Sequence, residues 1–109
     1  MNKYHAKKYK GFDSKLEAKR YEQLKAMEER GEITELKTQV PFELIHSQRI
    51  DGKVVERPCR YIADFTYLQE GKLVVEDAKG MARPEYIIKR KLMLFRLGIQ
   101  VREYKRTTR

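Results

Sequence analysis

Two runs rich in aromatic and β-branched residues flank the polar quartet Gln69-Glu70-Gly71-Lys72: Tyr61-Ile62-Ala63-Asp64-Phe65-Thr66-Tyr67-Leu68 before it, and Leu73-Val74-Val75-Glu76-Asp77-Ala78-Lys79-Gly80 after it. That pattern predicts a β-hairpin. A two-residue turn at Glu70 and Gly71 pairs Gln69 with Lys72, and the same register sets Asp64 opposite Asp77, with Cβ atoms about 4.5 to 5.5 Å apart. Side chains alternate along a strand, so Lys79 shares the face of Asp77 while Glu76 points the other way. A one-residue slip in register would exchange Glu76 for Asp77. Like charges placed opposite each other cost stability, and a divalent cation bridging the two acids would offset that cost.

Helical periodicity occurs twice. The capping box Ser14-Lys15-Leu16-Glu17 and the stop signal Gly31 predict a helix over residues 14–30. On its wheel Leu16, Leu24 and Met27 face inward with Tyr21 at the edge, and Glu17 falls between Leu24 and Tyr21, a carboxylate on the packing face. Strands are expected at residues 33–36 and 40–45, followed by an irregular polar segment over 46–58 in which Asp51-Gly52 marks the turn of a small hairpin. Beyond the central hairpin, Gly80 and Pro84 frame a loop into a second helix over 84–97, with Pro84 in its first turn and Gly98 at its end. Ile87, Ile88, Lys91, Leu92, Leu94 and Phe95 form its apolar side, with Lys89, Arg90 and Arg96 mostly off it. Residues 99–104 read as a last strand with Ile99, Val101 and Glu103 facing one way. Strand, helix and strand in this order favour a parallel pair with a right-handed crossover.

The predicted fold class is therefore α/β, a mixed β-sheet flanked by helices. A chain of 109 residues suits one domain, expected over residues 11–104 between a basic N-terminal arm, 1–10, and a basic tail, 105–109. Lys and Arg number 25 against 16 Asp and Glu, a net charge of +9, and the excess lies at the ends. Lys3, Lys7, Lys8 and Lys10 precede any acid, and from Arg83 onward nine basic residues face only Glu85 and Glu103. A near-neutral body with basic ends suits a polyanionic partner; solvated tails are the plainer account. The single cysteine, Cys59, excludes an internal disulfide and a Cys-rich zinc site and reads as an idle thiol. His5 and His46 show no spacing that marks a base or a ligand. No apolar run approaches the roughly 20 residues that cross a bilayer, and no signal-peptide core opens the chain, so a cytoplasmic protein without a membrane partner is expected.

A glutamate in the first helix, an aspartate in one strand and Asp-Xaa-Lys in the next resemble the PD-(D/E)XK nuclease superfamily. The match is closer still to a family of small phage-encoded proteins assigned as endonucleases, through Phe12-Asp13-Ser14-Lys15-Leu16-Glu17-Ala18, Gln39-Val40-Pro41-Phe42, Tyr61-Ile62-Ala63-Asp64-Phe65 and Val75-Glu76-Asp77-Ala78-Lys79-Gly80. The resemblance spans residues 11–104 and implies a restriction-endonuclease-like core, α-β-β-β-α-β. By position it implies that Asp64 and Asp77 are metal ligands, that Lys79 is the catalytic lysine, and that Glu17 is the helix acid many members add. Ala63 stands where the motif that names the superfamily has proline. Gln39 matches the closer family without an assignable role beyond a contact near the site.

The activity so implied is a Mg²⁺- or Mn²⁺-dependent DNA endonuclease in phage DNA replication, recombination or packaging. So small an enzyme favours structure-selective, nicking or junction-type substrates, and a homodimer would supply a second active site. A hard cation takes carboxylate oxygens from Asp64 and Asp77, with Glu17 directly or through water, and activates a bound water. Lys79 would orient that water, help deprotonate it or stabilise charge on phosphorus. Lys89, Arg90 and Arg96 of the second helix, with Lys7 and Lys8, would grip phosphates. The plainer readings are an Asp77–Lys79 surface ion pair worth at most about 1 kcal/mol, Glu17 acting only as a helix cap, and Glu76 as a structural residue. At the level of the whole protein, the alternatives are a non-catalytic DNA-binding module and a protein-interaction domain.

Overall fold

The computed structural model describes residues 14–79 and 82–105. Its elements run α1 (Lys15–Glu29), β1 (Thr34–Ile45), β2 (Gln48–Ile50), β3 (Lys53–Glu56), β4 (Cys59–Gln69), β5 (Lys72–Lys79), α2 (Pro84–Leu97) and β6 (Arg102–Lys105). Four strands form a mixed sheet in the order β1-β4-β5-β6, and β2 and β3 pair separately as a small hairpin. Among the described residues no helix is long and apolar enough to cross a membrane. Lys3, His5, Lys7, Lys8, Lys10, Gly80 and the chain beyond Lys105 lie outside the described residues.

Helix α1 starts where its cap places it. Ser14 is extended, and its Oγ accepts the Glu17 N–H at 3.0 Å, satisfying one of the four N–H groups that a helix start leaves unpaired. Its inner face buries Glu17, Ala18 and Leu24, with Tyr21 and Met27 packed alongside Leu24, Ile33, Phe65, Tyr67 and Val74. The central hairpin keeps the expected register, Gln69 opposite Lys72 and Phe65 opposite Glu76. Glu70 at φ 54° and Gly71 at φ 76° both adopt the left-handed conformation, as a two-residue hairpin turn of matching twist requires. Strand β6 runs parallel to β5, with Asp77 level with Glu103.

Three expectations are corrected. The strands expected at 33–36 and 40–45 are one strand, β1, whose pairing with β4 shifts register between Thr34 and Lys37 and again between Glu43 and Ile45. Such irregularities bend a strand without ending it, and Glu35 and Gln39 are left-handed within it at φ 54°. The final strand begins at Arg102, because Ile99 and Val101 pack into the core before pairing starts. Helix α2 turns Tyr86 and Met93 inward with Ile87 and Leu92, of the expected apolar side, half-buried beside them, while Ile88, Leu94 and Phe95 of that side are exposed. A tyrosine offers the sheet both an apolar ring and a hydroxyl, and Tyr86 Oη donates to Glu103 Oε2 of β6 at 2.7 Å. That face therefore fits the polar strand edge better than an all-aliphatic one.

Neighbouring residues of β5 point to opposite faces. Val74 and Glu76 meet the α1 side, and Val75 and Asp77 lie with the α2 side, where Leu44, Tyr61, Ala63, Tyr86, Met93 and Val101 form a second cluster with Cys59 half-buried against it. In β4, however, Tyr61 and Ala63 share alternation with Phe65 and Tyr67 yet belong to the other cluster. One face of the β1–β4 ribbon thus turns from α1 to α2 between Phe65 and Ala63. The turn lies where β4 parts from β5.

Glu76 is fully buried and fully occupied. Arg20 grips it with two nitrogens at 2.6 and 3.0 Å, and Tyr67 Oη donates at 2.6 Å. Arg20 also stacks over Tyr104 at 4.3 Å. This clamp joins α1 to β5 and fixes which acids of β5 face which way. Removing one partner leaves a buried charge behind, so Arg20→Met should cost roughly 3 kcal/mol in urea denaturation. Arg20→Met combined with Glu76→Leu should recover most of that stability; a double variant as unstable as the single would mean that the charge is not what matters.

Candidate active site

The β4–β5 ladder ends at Phe65 and Glu76, one step short of Asp64 and Asp77. Asp64 replaces the missing main-chain partner: its Oδ2 accepts the Ala78 N–H at 2.9 Å. The strands fork there, and the two acids stand at the fork. Asp77 is 2% exposed. Its Oδ1 accepts from Tyr61 Oη at 2.9 Å. Its Oδ2 lies 2.7 Å from Lys79 Nζ, but the approach is a charge contact rather than a directed hydrogen bond, and this buried oxygen has no hydrogen-bond donor. Lys79 Nζ also sits 4.1 Å above the Tyr86 ring, which holds the ammonium by its π face.

Electrostatics follow from burial. The Asp64 carboxyl is pushed up to about 7, first by burial and then by the Asp77 charge, with Glu17 adding to the effect and the Ala78 N–H opposing it. Burial and the same Asp77 charge push the Tyr61 hydroxyl upward, so it stays a donor. On the far side of Tyr86, the Glu103 carboxyl is lowered by its bonds from Arg90 and Tyr86. Two acids in one buried place disfavour double ionisation unless positive charge joins them, and Lys79 supplies one unit.

A cleft of about 370 Å³ opens on the pair. Asp64 and Asp77 line it with Tyr61 and Tyr86, while Arg60, Lys79, Arg83 and Lys89 bring four cations to it and Glu85 a third acid. Arg60 comes from β4 and Lys79 from β5, Arg83 precedes the first turn of α2, and Lys89 lies within that helix.

The chain belongs to the family described as a protein of unknown function, DUF1064, whose model matches residues 1–107. No curated protein and no solved structure matches it.

Of the residues predicted from sequence, Asp64, Asp77 and Lys79 are brought together and Lys89 joins them in the cleft. Glu17 is 5% exposed, and its Oε2 accepts from Gln39 Nε2 at 2.8 Å. Gln39 lies between Thr38, paired with Phe65, and Val40, paired with Ala63, which sets it level with Asp64. Glu17 thus stands beside the pair and is joined to β1, a role for Gln39 that sequence could not supply. Among the described residues no three His, Cys, Asp or Glu side chains converge as a ready metal cage; the convergent part is the aspartate pair. Arg90 is engaged elsewhere, donating to Glu103 at 2.8 Å, and Arg96 donates to the Leu44 carbonyl at 3.2 Å. Tyr61, Tyr86, Arg60 and Arg83 were missed. Regular alternation puts Tyr61 with Phe65, on the face away from Asp77; only the fork brings the two together, and nothing local marks the others.

In metal-free buffer the native Asp64 keeps a proton that the unfolded chain has released, so its contribution to stability falls as pH rises from about 4 and levels off above about 7. Asp64→Asn keeps an oxygen for the Ala78 N–H and should lose this dependence. The melting temperature of the variant minus that of wild type should be near zero at acid pH and grow to a plateau above neutrality. A constant difference would rule out the buried acid pair as the source of strain.

Proposed function

We propose that this protein is a metal-dependent DNA endonuclease with a restriction-endonuclease-like core. The observation that carries this reading is a buried Asp64–Asp77 pair at a strand fork, with the Lys79 ammonium on Asp77, inside a cleft to which Arg60, Arg83 and Lys89 bring further positive charge. The element order in the main sheet, α1-β1-β4-β5-α2-β6, is consistent with the α-β-β-β-α-β core that the resemblance implies. An isolated structural ion pair needs only one acid. A second acid, raised to about 7 by burial and by the first, adds strain that a binding site explains.

The donors fit a hard divalent cation. Asp77 presents a buried oxygen without a hydrogen-bond donor, and Asp64 presents a carboxylate whose ionised form is disfavoured until positive charge arrives. Asp64 and Asp77 would hold Mg²⁺ or Mn²⁺, with Glu17 beside them as a direct or water-mediated ligand. Bound there, the ion would supply Lewis acidity and a lower pKa for a coordinated water.

The chain's own groups do the rest. Tyr61 holds Asp77 through Oδ1 and leaves Oδ2, beside the Lys79 ammonium, without a hydrogen-bond donor. Lys79, kept between Asp77 and the Tyr86 ring, orients the attacking water or offsets charge on the phosphate. Arg60, Arg83 and Lys89 seat the backbone without reading its sequence.

Incubation with DNA and Mg²⁺ or Mn²⁺ separates the enzyme from a non-catalytic DNA-binding module. Asp77→Asn should abolish cleavage while DNA affinity is kept or rises, because a negative charge near phosphate is removed. Cutting by purified Asp77→Asn at the wild-type rate would overturn the two-carboxylate site. Adding Ca²⁺ or Mn²⁺ should raise the melting temperature of wild type by mass action, with Ca²⁺ supporting little cleavage, and should leave Asp77→Asn unmoved. Lys89→Gln should weaken binding to all sequences alike and lower the salt slope by about 0.9 for each phosphate no longer neutralised. Arg90→Gln, already committed to Glu103, should change the slope less; equal effects would move the phosphate track onto the outer side of α2.

A further inference from the structure

The β2–β3 hairpin has no evident part in the cleft chemistry, yet its construction is specific. Every residue of both strands is exposed, including Ile50, Val54 and Val55 at 63%, 47% and 50%. A lone two-stranded hairpin is marginal in water, and this one is stiffened from within. Asp51 and Gly52 are both left-handed, at φ 51° and 80°, as a tight hairpin turn needs, and Arg49 Nη1 donates to the Gly52 carbonyl across the tip at 3.0 Å. The arm is therefore preorganised, with both faces open to solvent. Its strands lead out of β1 and into β4, and Arg60, at the root, already lines the cleft.

We infer that this arm lies in the major groove of duplex DNA flanking the phosphate held in the cleft. The inference rests on the nuclease reading and supplies its substrate class: a cleavage site with duplex on the side of the arm. Charge points to the occupant. Arg49, Lys53, Arg57 and Arg60 outnumber Asp51, Glu56 and Glu43, the last opposite Arg60 and 3.7 Å from it, along the arm and its root, and Arg83 and Lys89 add positive charge at the adjoining cleft. Size agrees, since a major groove about 12 Å wide admits a two-stranded ribbon, and apolar side chains such as Ile50 and Val54 meet thymine methyl groups there. Gly52 is twelve residues from Asp64, so the tip reaches at most about 40 Å from the acids, little more than one turn of B-DNA. Edge pairing with a second copy is a poorer fit. The strands are three and four residues long, with a register shift between Gln48 and Arg49, and short, bulged edges resist strand addition.

The test compares full-length Asp77→Asn protein with the same protein carrying Ile50→Ser, Lys53→Gln and Val54→Ser, all exposed positions outside the cleft. Affinity is measured for a duplex of about three helical turns and for a single strand of about six nucleotides, which only the cleft can hold. The arm variant should bind the duplex about tenfold or more weakly, the scale of one base-edge interaction, and the short strand as tightly as before. Footprinting should show protection reaching about one turn to one side of the cleft, shortened in the variant. Unchanged duplex affinity with an unchanged footprint overturns the inference, as does a variant that turns a wild-type dimer into a monomer at equal DNA affinity, which would make the arm a protein interface. Weaker duplex binding by the arm variant, alongside wild-type protein that binds DNA yet never cuts it, upholds the arm and sinks the nuclease reading. Wild type with no affinity for DNA sinks both.

Discussion

At the fork between β4 and β5 a side chain takes the place of the main chain. A ladder that simply continued past Phe65 and Glu76 would set Asp64 and Asp77 face to face with their charges opposed. Instead the Asp64 carboxylate takes the Ala78 N–H, the strands part, and the space between them opens into the cleft. The same parting lets the β1–β4 ribbon swing its inner face from α1 to α2, bringing Tyr61 onto Asp77. Fork, cleft and second core cluster share one cause: a hydrogen-bonding group placed where a carbonyl would otherwise pair.

The two successive acids of β5 show what distinguishes structure from site. Glu76 is fully buried and meets a bidentate arginine and a tyrosine hydroxyl, an ion pair closed on itself. Asp77 is almost as buried but meets one tyrosine, one off-angle ammonium and a second acid. A buried polar group that is incompletely satisfied costs stability, and of the two acids only Asp77 is left so. The scaffold acid also holds the site acid in place, because the Arg20 clamp on Glu76 fixes the rotation of β5 and so the direction of Asp77.

Tyr86 connects the site to the edge strand β6. Its ring carries Lys79, and its hydroxyl binds Glu103, which Arg90 also engages. The position of α2 is thereby set from β6, and with it the approach of Arg83 and Lys89 to the cleft. Basic residues of one helix consequently divide between two duties, Lys89 facing the cleft and Arg90 holding the sheet. A count of charges along the helix cannot make that division.

Features that depend on neighbours in the chain were legible from the residues themselves. Ser14 and Glu17 start α1, Glu70 and Gly71 close the hairpin, Pro84 and Gly98 bound α2, and period-two alternation places Lys79 with Asp77 and Glu76 on the opposite face. Local geometry is enough for each of these, because turn conformation, capping and pleat act over a few residues. Packing settled the rest: that β1 is one bent strand, that α2 buries Tyr86 and Met93 while Ile88, Leu94 and Phe95 stay exposed, that Gln39 meets Glu17 across 22 positions of sequence, and that the ladder forks at Asp64. Each depends on which distant donor meets which acceptor once the elements come together, and no period along the chain records that choice.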